Sequence, residues 1–160
     1  MLKLTDPALT SFPMIHMAKP GRMELRDEEV QGLRHYLHAG GTLMADDFWG
    51  TYEWDNFEAQ MKRVMPDGRF VDLNASHPIF HSFFEIDRLD IIPQAYIAGT
   101  PIFRGLYEDN DSRKRLQILV NYNTDISQFW EWSGTGLRPI DDTNEAYKLG
   151  VNYIVYGLTH

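Results

Sequence analysis

The stretch that decides the fold is GGTLMADDFWG, residues 40–50. Gly40 and Gly41 are the residues that commonly end a helix, and the apolar run at 42–45 is typical of a buried strand. That run stops abruptly at two carboxylates, Asp46 and Asp47, followed by two aromatic rings and a glycine. The segment therefore predicts the end of a helix, a strand and a sharp turn in close succession.

Amphipathic helices are predicted on both sides of this segment. Acidic residues at 27–29 favour a helix start, and apolar residues then recur at helical spacing up to residue 37. Helical spacing returns over residues 54–64. It appears again near the C-terminus, in an apolar stripe formed by Tyr147, Val151, Ile154 and Leu158. Its β-branched residues would also suit a strand, but the length of the run and a cap at 141–143 favour a helix.

Further strands are predicted at residues 12–17, 69–73 and 116–120, where short apolar runs lie between turn signals. Residues 85–105 show no clean period, so we expect an irregular loop there, apart from short strands. Residues 130–142 are also expected to be a loop. Strands that alternate with amphipathic helices are typical of βαβ units. The expected fold class is a single three-layer α/β/α domain over residues 1–160, built on a mostly parallel sheet.

Composition excludes several function classes. A net charge of −8 opposes binding to the phosphate backbone of nucleic acids. The chain has no cysteine, which excludes disulfides, thiolate metal sites and a thiol nucleophile. No apolar run is long enough to span a membrane. Glycine-rich phosphate loops and the G-x-S-x-G motif are absent, so no cofactor is expected.

Polar side chains follow two of the predicted strands. Ligands of parallel sheets bind at the carboxyl ends of strands, which is where Asp46 and Asp47 lie. One of them can cap a turn while the other serves as a base, a metal ligand or a hydrogen-bond acceptor, and a purely capping role stays open. Asn121, Asn123 and Asp125 follow the strand at 116–120 but lack the glycine and glutamate of a calcium loop. We expect them to form hydrogen bonds across the carboxyl edge.

Aromatic residues and histidines complete the candidates. Trp130 lies in a cluster that is either a stacking platform for a ring or a lid packed on the core. His77 begins the sequence HPIFH, in which a proline replaces the glutamate of zinc proteases, so it is expected to be a loop or helix-entry residue. No metal ligand or catalytic residue is assigned. The candidate ligand-binding residues are Asp46, Asp47, Trp49, His77, Asn121, Asn123, Asp125 and Trp130.

An ordered set of motifs carries a family resemblance. The motifs are FPMIHM, LRHYLHAGGTLMADDFWG, NFEAQMKRVMPD, SHPIFHSFFEID, VNYNTDISQFWEW and EAYKLGVNYIVYGLTH. With them the chain resembles a bacterial family known as domain of unknown function 4159, which is itself similar to flavodoxin-like, class I glutamine amidotransferase-like proteins. The resemblance implies that Asp46 and Asp47 stand at the active-site turn and that His77 belongs to a later His-Pro pair. Amidotransferase activity needs a cysteine nucleophile and is excluded.

The resemblance also predicts an uncovered edge. Relatives usually carry another strand and helix before the strand at 12–17, and some resemble exported or envelope-associated proteins, so the compartment stays open between these and the cytoplasm. A sheet without that strand has an unpaired edge and a bare apolar face, both of which favour association with another chain. We therefore expect self-association, most simply as a symmetric dimer.

Three functions remain open from the sequence. The first is binding of a small polar ligand or a protein partner at the carboxyl edge of the sheet. The second is hydrolysis of a carbohydrate-like substrate through Asp46 or Asp47 together with His77. The third is a structural module without a ligand. Clustering of the polar residues around an open cavity favours the first two, whereas inward-facing, mutually hydrogen-bonded side chains favour the third.

Overall fold

A computed structural model describes residues 2–90 and 100–160 of the chain. Its strands and helices are β1 (Met14–Ala18), α1 (Asp27–His38), β2 (Thr42–Asp46), α2 (Gly50–Val64), β3 (Phe70–Asp72), β4 (Ile102–Tyr107), β5 (Leu116–Tyr122), α3 (Ile126–Glu131) and α4 (Ile140–Thr159). Short 3-10 helices add turns at Pro7–Ser11, Pro20–Arg22, Pro78–Phe80 and Glu108–Asn110. The mixed α/β class predicted from the sequence is confirmed.

The described residues form one open, five-stranded sheet in the order β1-β2-β5-β4-β3. Pairing is parallel from β1 through β2 to β5 and antiparallel from β5 through β4 to β3. The sheet is thus parallel at one edge only, rather than mostly parallel throughout. Residues 108–115 join β4 to β5, which is too short for the crossover of a dozen or more residues that a parallel pair needs.

Two predicted loops contain regular structure. Within residues 85–105, β4 begins at Ile102, whereas residues 91–99 lie outside the described part of the chain. Within residues 130–142, α3 ends and α4 begins, which leaves residues 132–139 as the connection. In both cases a proline, Pro101 or Pro139, stands directly before the first residue of the element. Proline is in fact tolerated at the first positions of strands and helices.

The sheet separates two apolar clusters, which makes three layers. α1 and α2 cover one face, where Leu33, Leu37 and Phe57 are fully buried together with the odd-numbered residues of β2. α3 and α4 cover the other face, where Met44 and Leu119 pack beneath them. None of the helices in the described residues is long and apolar enough to cross a membrane.

α4 is a helix, as predicted, but its buried face is not the predicted one. The predicted stripe is largely exposed: Tyr147 by 45%, Ile154 by 56% and Leu158 by 64%. The residues that pack against the sheet are instead Ala146, Leu149, Gly150, Tyr153 and Tyr156. Helical spacing of apolar residues occurs on both sides of this helix, so the period alone does not identify the inner side.

Candidate functional site

The exits of β1, β2 and β5 lie together at the carboxyl edge of the sheet, because these three strands run parallel. The Lys19 amide after β1 donates to the Asp46 carbonyl at 3.0 Å. The Asp47 amide after β2 donates to the Thr124 carbonyl at 3.1 Å. The Gly50 amide, at the start of α2, donates to Asn123 Oδ1 at 3.2 Å. The predicted polar segments are therefore joined to one another.

Asp46 is the most deeply buried carboxylate at this edge. Its two oxygens accept hydrogen bonds from the amides of Ile126 at 3.2 Å and Ser127 at 2.9 Å, at the start of α3. Burial raises the pKa of Asp46 to about 7, although these hydrogen bonds oppose the shift. His16 Nε2 lies 3.9 Å from Asp46 Oδ2, and burial lowers the pKa of His16. Since burial favours the neutral form of both groups, the contact is not a fully formed ion pair at neutral pH.

Asp47 forms the sharp turn between β2 and α2. Its φ of +66° is left-handed, a region that Asp tolerates better than most residues. The side chain is buried, and its carboxylate lies 3.6 Å from Lys19 Nζ. Burial raises the pKa of Asp47 to about 6, the nearby Asp125 adds to the shift, and Lys19 opposes it. This turn thus holds a second carboxyl group whose pKa is raised by burial.

The polar residues at the end of β5 and just after it form contacts within the protein. Asp125 Oδ1 caps α3 by accepting from the Gln128 amide and from Ser127 Oγ, both at 2.9 Å. Asn121 Oδ1 accepts from the Tyr153 hydroxyl of α4 at 3.0 Å. These inward-facing contacts are the arrangement expected of a structural role for the oxygen atoms.

Three polar atoms at the same exits differ from this pattern. Trp49 Nε1, Asn121 Nδ2 and Thr124 Oγ1 are buried and have no hydrogen-bond partner among residues 2–90 and 100–160. Buried polar groups are nearly always paired, so a water molecule or a ligand would complete the hydrogen bonding of these atoms. The carboxyl edge therefore combines carboxylates that already accept hydrogen bonds with buried polar atoms that have no partner among the described residues.

A groove of about 440 Å³ lies beside this edge, between β1 and α4. Its lining includes Met14, His16, Trp130, Tyr147, Val151 and Ile154. The Trp130 indole donates to the Ala146 carbonyl at 2.9 Å, and its ring meets His16 edge-on with centroids 6.2 Å apart. Trp130 is thus packed on α4 while it also lines the groove. Sequence reasoning did not single out His16, although a histidine inside the apolar run FPMIHM was a usable signal.

His77 lies in a different part of the molecule. Its Nδ1 accepts from the Ile79 amide at 3.2 Å, and its Nε2 lies 2.6 Å from the Tyr107 hydroxyl. Tyr107 pairs with Leu116, the first residue of β5, which places this contact toward the amino edge. No contact in the described residues joins His77 to Asp46. The structure therefore does not bring together the residues that the hydrolase hypothesis requires.

One group of side chains has the composition of a metal site. His81, Glu85 and Asp87 offer ligand atoms within 4.8 Å of one another. However, His81 Nε2 lies 2.6 Å from the Ala75 carbonyl, and Nδ1 lies 2.5 Å from Glu85 Oε2. The bonds to Ala75 and then to Glu85 raise the pKa of His81. An imidazolium that donates from both nitrogens has no lone pair for a metal, so an exposed ion pair accounts for this cluster.

Comparison with known families identifies the chain's relatives. The sequence profile of a family described as a domain of unknown function (DUF4159) matches residues 1–158. The chain belongs to this family. No curated protein matches the chain. The DUF4159 membership expected from the six motifs is confirmed, and the family description assigns no activity or ligand.

Proposed function

We propose that this DUF4159 domain is a protein-interaction module whose β1 edge and α4 surface bind a second copy of the same chain. The proposal rests on two features that lie on the same side of the domain, an unpaired strand edge and a set of exposed apolar side chains. In the described part of the chain β1 has a neighbour on one side only, which leaves a row of backbone N–H and C=O groups available for pairing. The exposed apolar residues Tyr147, Ile154 and Leu158 lie on α4, which flanks the same groove.

A single two-fold axis satisfies both features at once. Antiparallel pairing of β1 with its symmetry mate would extend the sheet across the axis. Because α4 covers one face of the sheet next to β1, the two α4 helices would then lie side by side on that face. Their apolar stripes would face each other across the axis, so strand pairing and helix packing support the same geometry.

The charge distribution also favours a second copy at this surface. The chain carries a net charge of −8, so two copies repel each other at most orientations. None of the described residues that line the groove is Asp, Glu, Lys or Arg. Burial of each half-exposed apolar side chain contributes about 1 kcal/mol, and the cost of association offsets much of the sum over the two copies. We therefore expect a weak dimer, with a Kd on the order of 10–100 µM.

Sedimentation velocity across a dilution series tests this proposal. The wild-type chain is expected to shift from monomer to dimer over about 5–500 µM, a range set by the expected Kd. Ile154→Glu places a charge in the apolar stripe and is expected to abolish the dimer without changing the far-UV circular dichroism. Tyr52→Glu is the matched control, because Tyr52 is an exposed aromatic residue on α2, on the opposite face. A wild-type chain that stays monomeric at every concentration would overturn the proposal.

A second function, binding of a small polar ligand at the carboxyl edge, is favoured by the three unpaired buried atoms. Trp49 Nε1 and Asn121 Nδ2 are donors, so the complementary ligand carries hydroxyl or carbonyl oxygens, as a sugar or polyol does. Titration of the ¹⁵N-labelled domain with a panel of monosaccharides and polyols tests this function by chemical-shift changes at residues 46–50 and 121–125. Trp49→Phe removes the N–H and is expected to weaken binding, whereas Trp132→Phe, outside the edge, is the control.

We also propose that the domain is a divergent relative of the flavodoxin-like, class I amidotransferase-like proteins. Three layers, parallel pairing of β1, β2 and β5, and a left-handed residue at the β2–α2 turn support this relation. Enzymes of this architecture place a nucleophile at such a turn, where Asp47 stands in this chain. An experimental structure of a longer family member tests the relation: a further strand paired parallel to β1 is expected.

A further inference from the structure

A second cavity, of about 580 Å³, lies near the amino end of β5 and the C-terminal end of α4. It is separate from the groove beside β1, and none of the described residues lines both. The residues that give it chemical character are His77, Tyr107, Ser112, Arg113, Lys114 and Tyr156. It thus contains the histidine that the sequence singled out and that the interaction surface leaves unused.

The hydrogen bonds of His77 orient the hydroxyl of Tyr107. A backbone N–H can only donate, so His77 Nδ1, which accepts from Ile79, carries no proton. A neutral imidazole with a bare Nδ1 has its proton on Nε2, which must then donate to the Tyr107 oxygen 2.6 Å away. Burial lowers the pKa of His77, in agreement with the neutral ring. The hydroxyl hydrogen of Tyr107 is consequently free to donate to a third group.

The hydroxyl of Tyr107 remains a donor across the physiological range, because burial raises its pKa to about 12. The His77 ring packs beside the Tyr107 ring at a centroid distance of 5.9 Å, and Tyr156 packs on His77 at the same distance. The donor is therefore held in place by a packed ring and a hydrogen bond from the same histidine rather than by a flexible chain. A fixed donor in a cavity is a feature of ligand sites.

Two cationic side chains line the same cavity as this donor. Lys114 Nζ contacts Asp109 at 2.6 Å, which leaves two of its three N–H groups unused. Arg113 makes a two-pronged contact with Asp111 at 2.7–2.9 Å and retains N–H groups on its other side. Neither Asp109 nor Asp111 is among the described residues that line the cavity.

The acidic residue that lines the cavity already forms an ion pair with an arginine. Asp72 faces the cavity, but its carboxylate accepts from Arg104 Nε at 2.9 Å. Arg115 also lines the cavity, but its guanidinium donates to the Gly41 and Leu37 carbonyls. The remaining balance is the two cations Arg113 and Lys114 and an oriented hydroxyl, in a chain with a net charge of −8. From this arrangement we infer that the cavity binds a small oxyanion, such as the phosphate group of a phosphate ester. The Tyr107 hydroxyl, Lys114 and Arg113 would donate to its oxygens.

Titration with inorganic phosphate, followed by ¹H–¹⁵N spectra at constant ionic strength, tests the inference. Shifts are expected at Tyr107 and at residues 112–115, with a Kd on the order of 1 mM. Parallel titrations with glycerol 3-phosphate and with acetate distinguish the sources of the anion. Tighter binding of glycerol 3-phosphate than of inorganic phosphate would show that the site recognises phosphate esters. Equal binding of the two would show that it recognises only the anionic group. Acetate binding as tight as that of phosphate would overturn the assignment.

Matched variants separate this site from general charge effects. Lys114→Gln and Tyr107→Phe are each expected to weaken phosphate binding about 5- to 10-fold, the effect of one lost hydrogen bond. Lys148→Gln is the control, since Lys148 also contacts a carboxylate at 2.6 Å but lies outside the cavity. Equal weakening by the two lysine variants, or an absence of shifts at residues 112–115, would refute the site.

Discussion

The two faces of the sheet differ in the polar groups that they bury. Beneath α1 and α2 the interior is closed and apolar, with Phe57 packed against Phe48 and Phe70 at centroid distances of 5.1 and 5.8 Å. Beneath α3 and α4 an apolar cluster also encloses polar groups such as Asp46 and Asn121, and several apolar residues of α4 lie on the outside. The first face has the composition of a stabilising core. The second face departs from that composition through its buried polar atoms and exposed apolar residues. A ligand would pair the polar atoms, and a partner chain would cover the apolar residues.

The largest effect is expected from opening the closed face. Phe57→Ala removes a fully buried ring from the aromatic cluster and is expected to lower the free energy of unfolding by about 3–5 kcal/mol. Ile154→Ala, on the outside of α4, is expected to change it by less than about 0.5 kcal/mol in the monomer. Urea denaturation at low protein concentration measures both. Comparable losses of unfolding free energy in the two variants would mean that the outside of α4 is as well packed as the core. The expected difference between the two faces would then be absent.

A smaller effect is expected from the buried carboxyl groups, and it is measured as the pH dependence of the free energy of unfolding. The pKa of Asp46 is raised from 3.8 to about 7, so between those values the unfolded chain releases a proton that the folded protein keeps. The free energy of unfolding therefore falls as pH rises through this window, by up to about 1.4 kcal/mol per pH unit for one such proton. Asp47 acts in the same direction. His16, whose pKa is lowered, acts in the opposite direction below its ordinary value of 6.5.

Asp46→Asn is expected to flatten this slope while it weakens one of the two bonds to α3. Urea unfolding at pH 4.5, 5.5, 6.5 and 7.5 gives the slope for wild type and variant. The groups that face Asp46 are His16, Asp125 and Tyr153, and they are unchanged in the variant. Parallel slopes for the two proteins would show that Asp46 is ionised across this pH range and would contradict its raised pKa.

The smallest effect is expected from the cap of α3. Asp125→Ala removes the acceptor for the Gln128 amide and is expected to cost about 1 kcal/mol. Asp6→Ala removes a similar contact, to the Ala8 amide, from an exposed 3-10 helix and serves as the control, with a smaller loss. Thermal unfolding at fixed pH measures both. An Asp125→Ala protein as stable as wild type would indicate that this carboxylate is not a structural cap.

Local patterns predicted the parts of the fold that local physics decides. Strand β2 and helices α1 and α2 combine strong periodicity with clear end signals, so their positions were predictable. The convergence of residues 46–47 and 121–125 followed from the rule that parallel strands end at one edge. The capping roles of Asp46 and Asp125 depend on where α3 docks, which the sequence does not state. The antiparallel direction of β4 depends on the short connection at 108–115 between two strands of which only one was predicted.

Tertiary contacts decided the rest. The inner side of α4 is set partly by Gly150, where a Cβ atom would lie 2.7 Å from Trp130 Cζ2, and no periodicity reveals such a close approach. The position of His77 near the amino edge depends on Tyr107 and Tyr156, which are distant in sequence. Both cases involve pairs of residues that meet only after the sheet has formed.

The order β1-β2-β5-β4-β3 also has a consequence for synthesis of the chain. β5 is the central strand of the described sheet but the last of its strands to leave the ribosome. Until residue 122 has emerged, the inner edge of β2 has no partner, and β4 and β3 have no sheet to join. Assembly of the two halves is therefore a late, long-range event, of the kind that slows folding and exposes strand edges. The nascent chain carries two open edges at β2 and β1, and insertion of β5 closes the first.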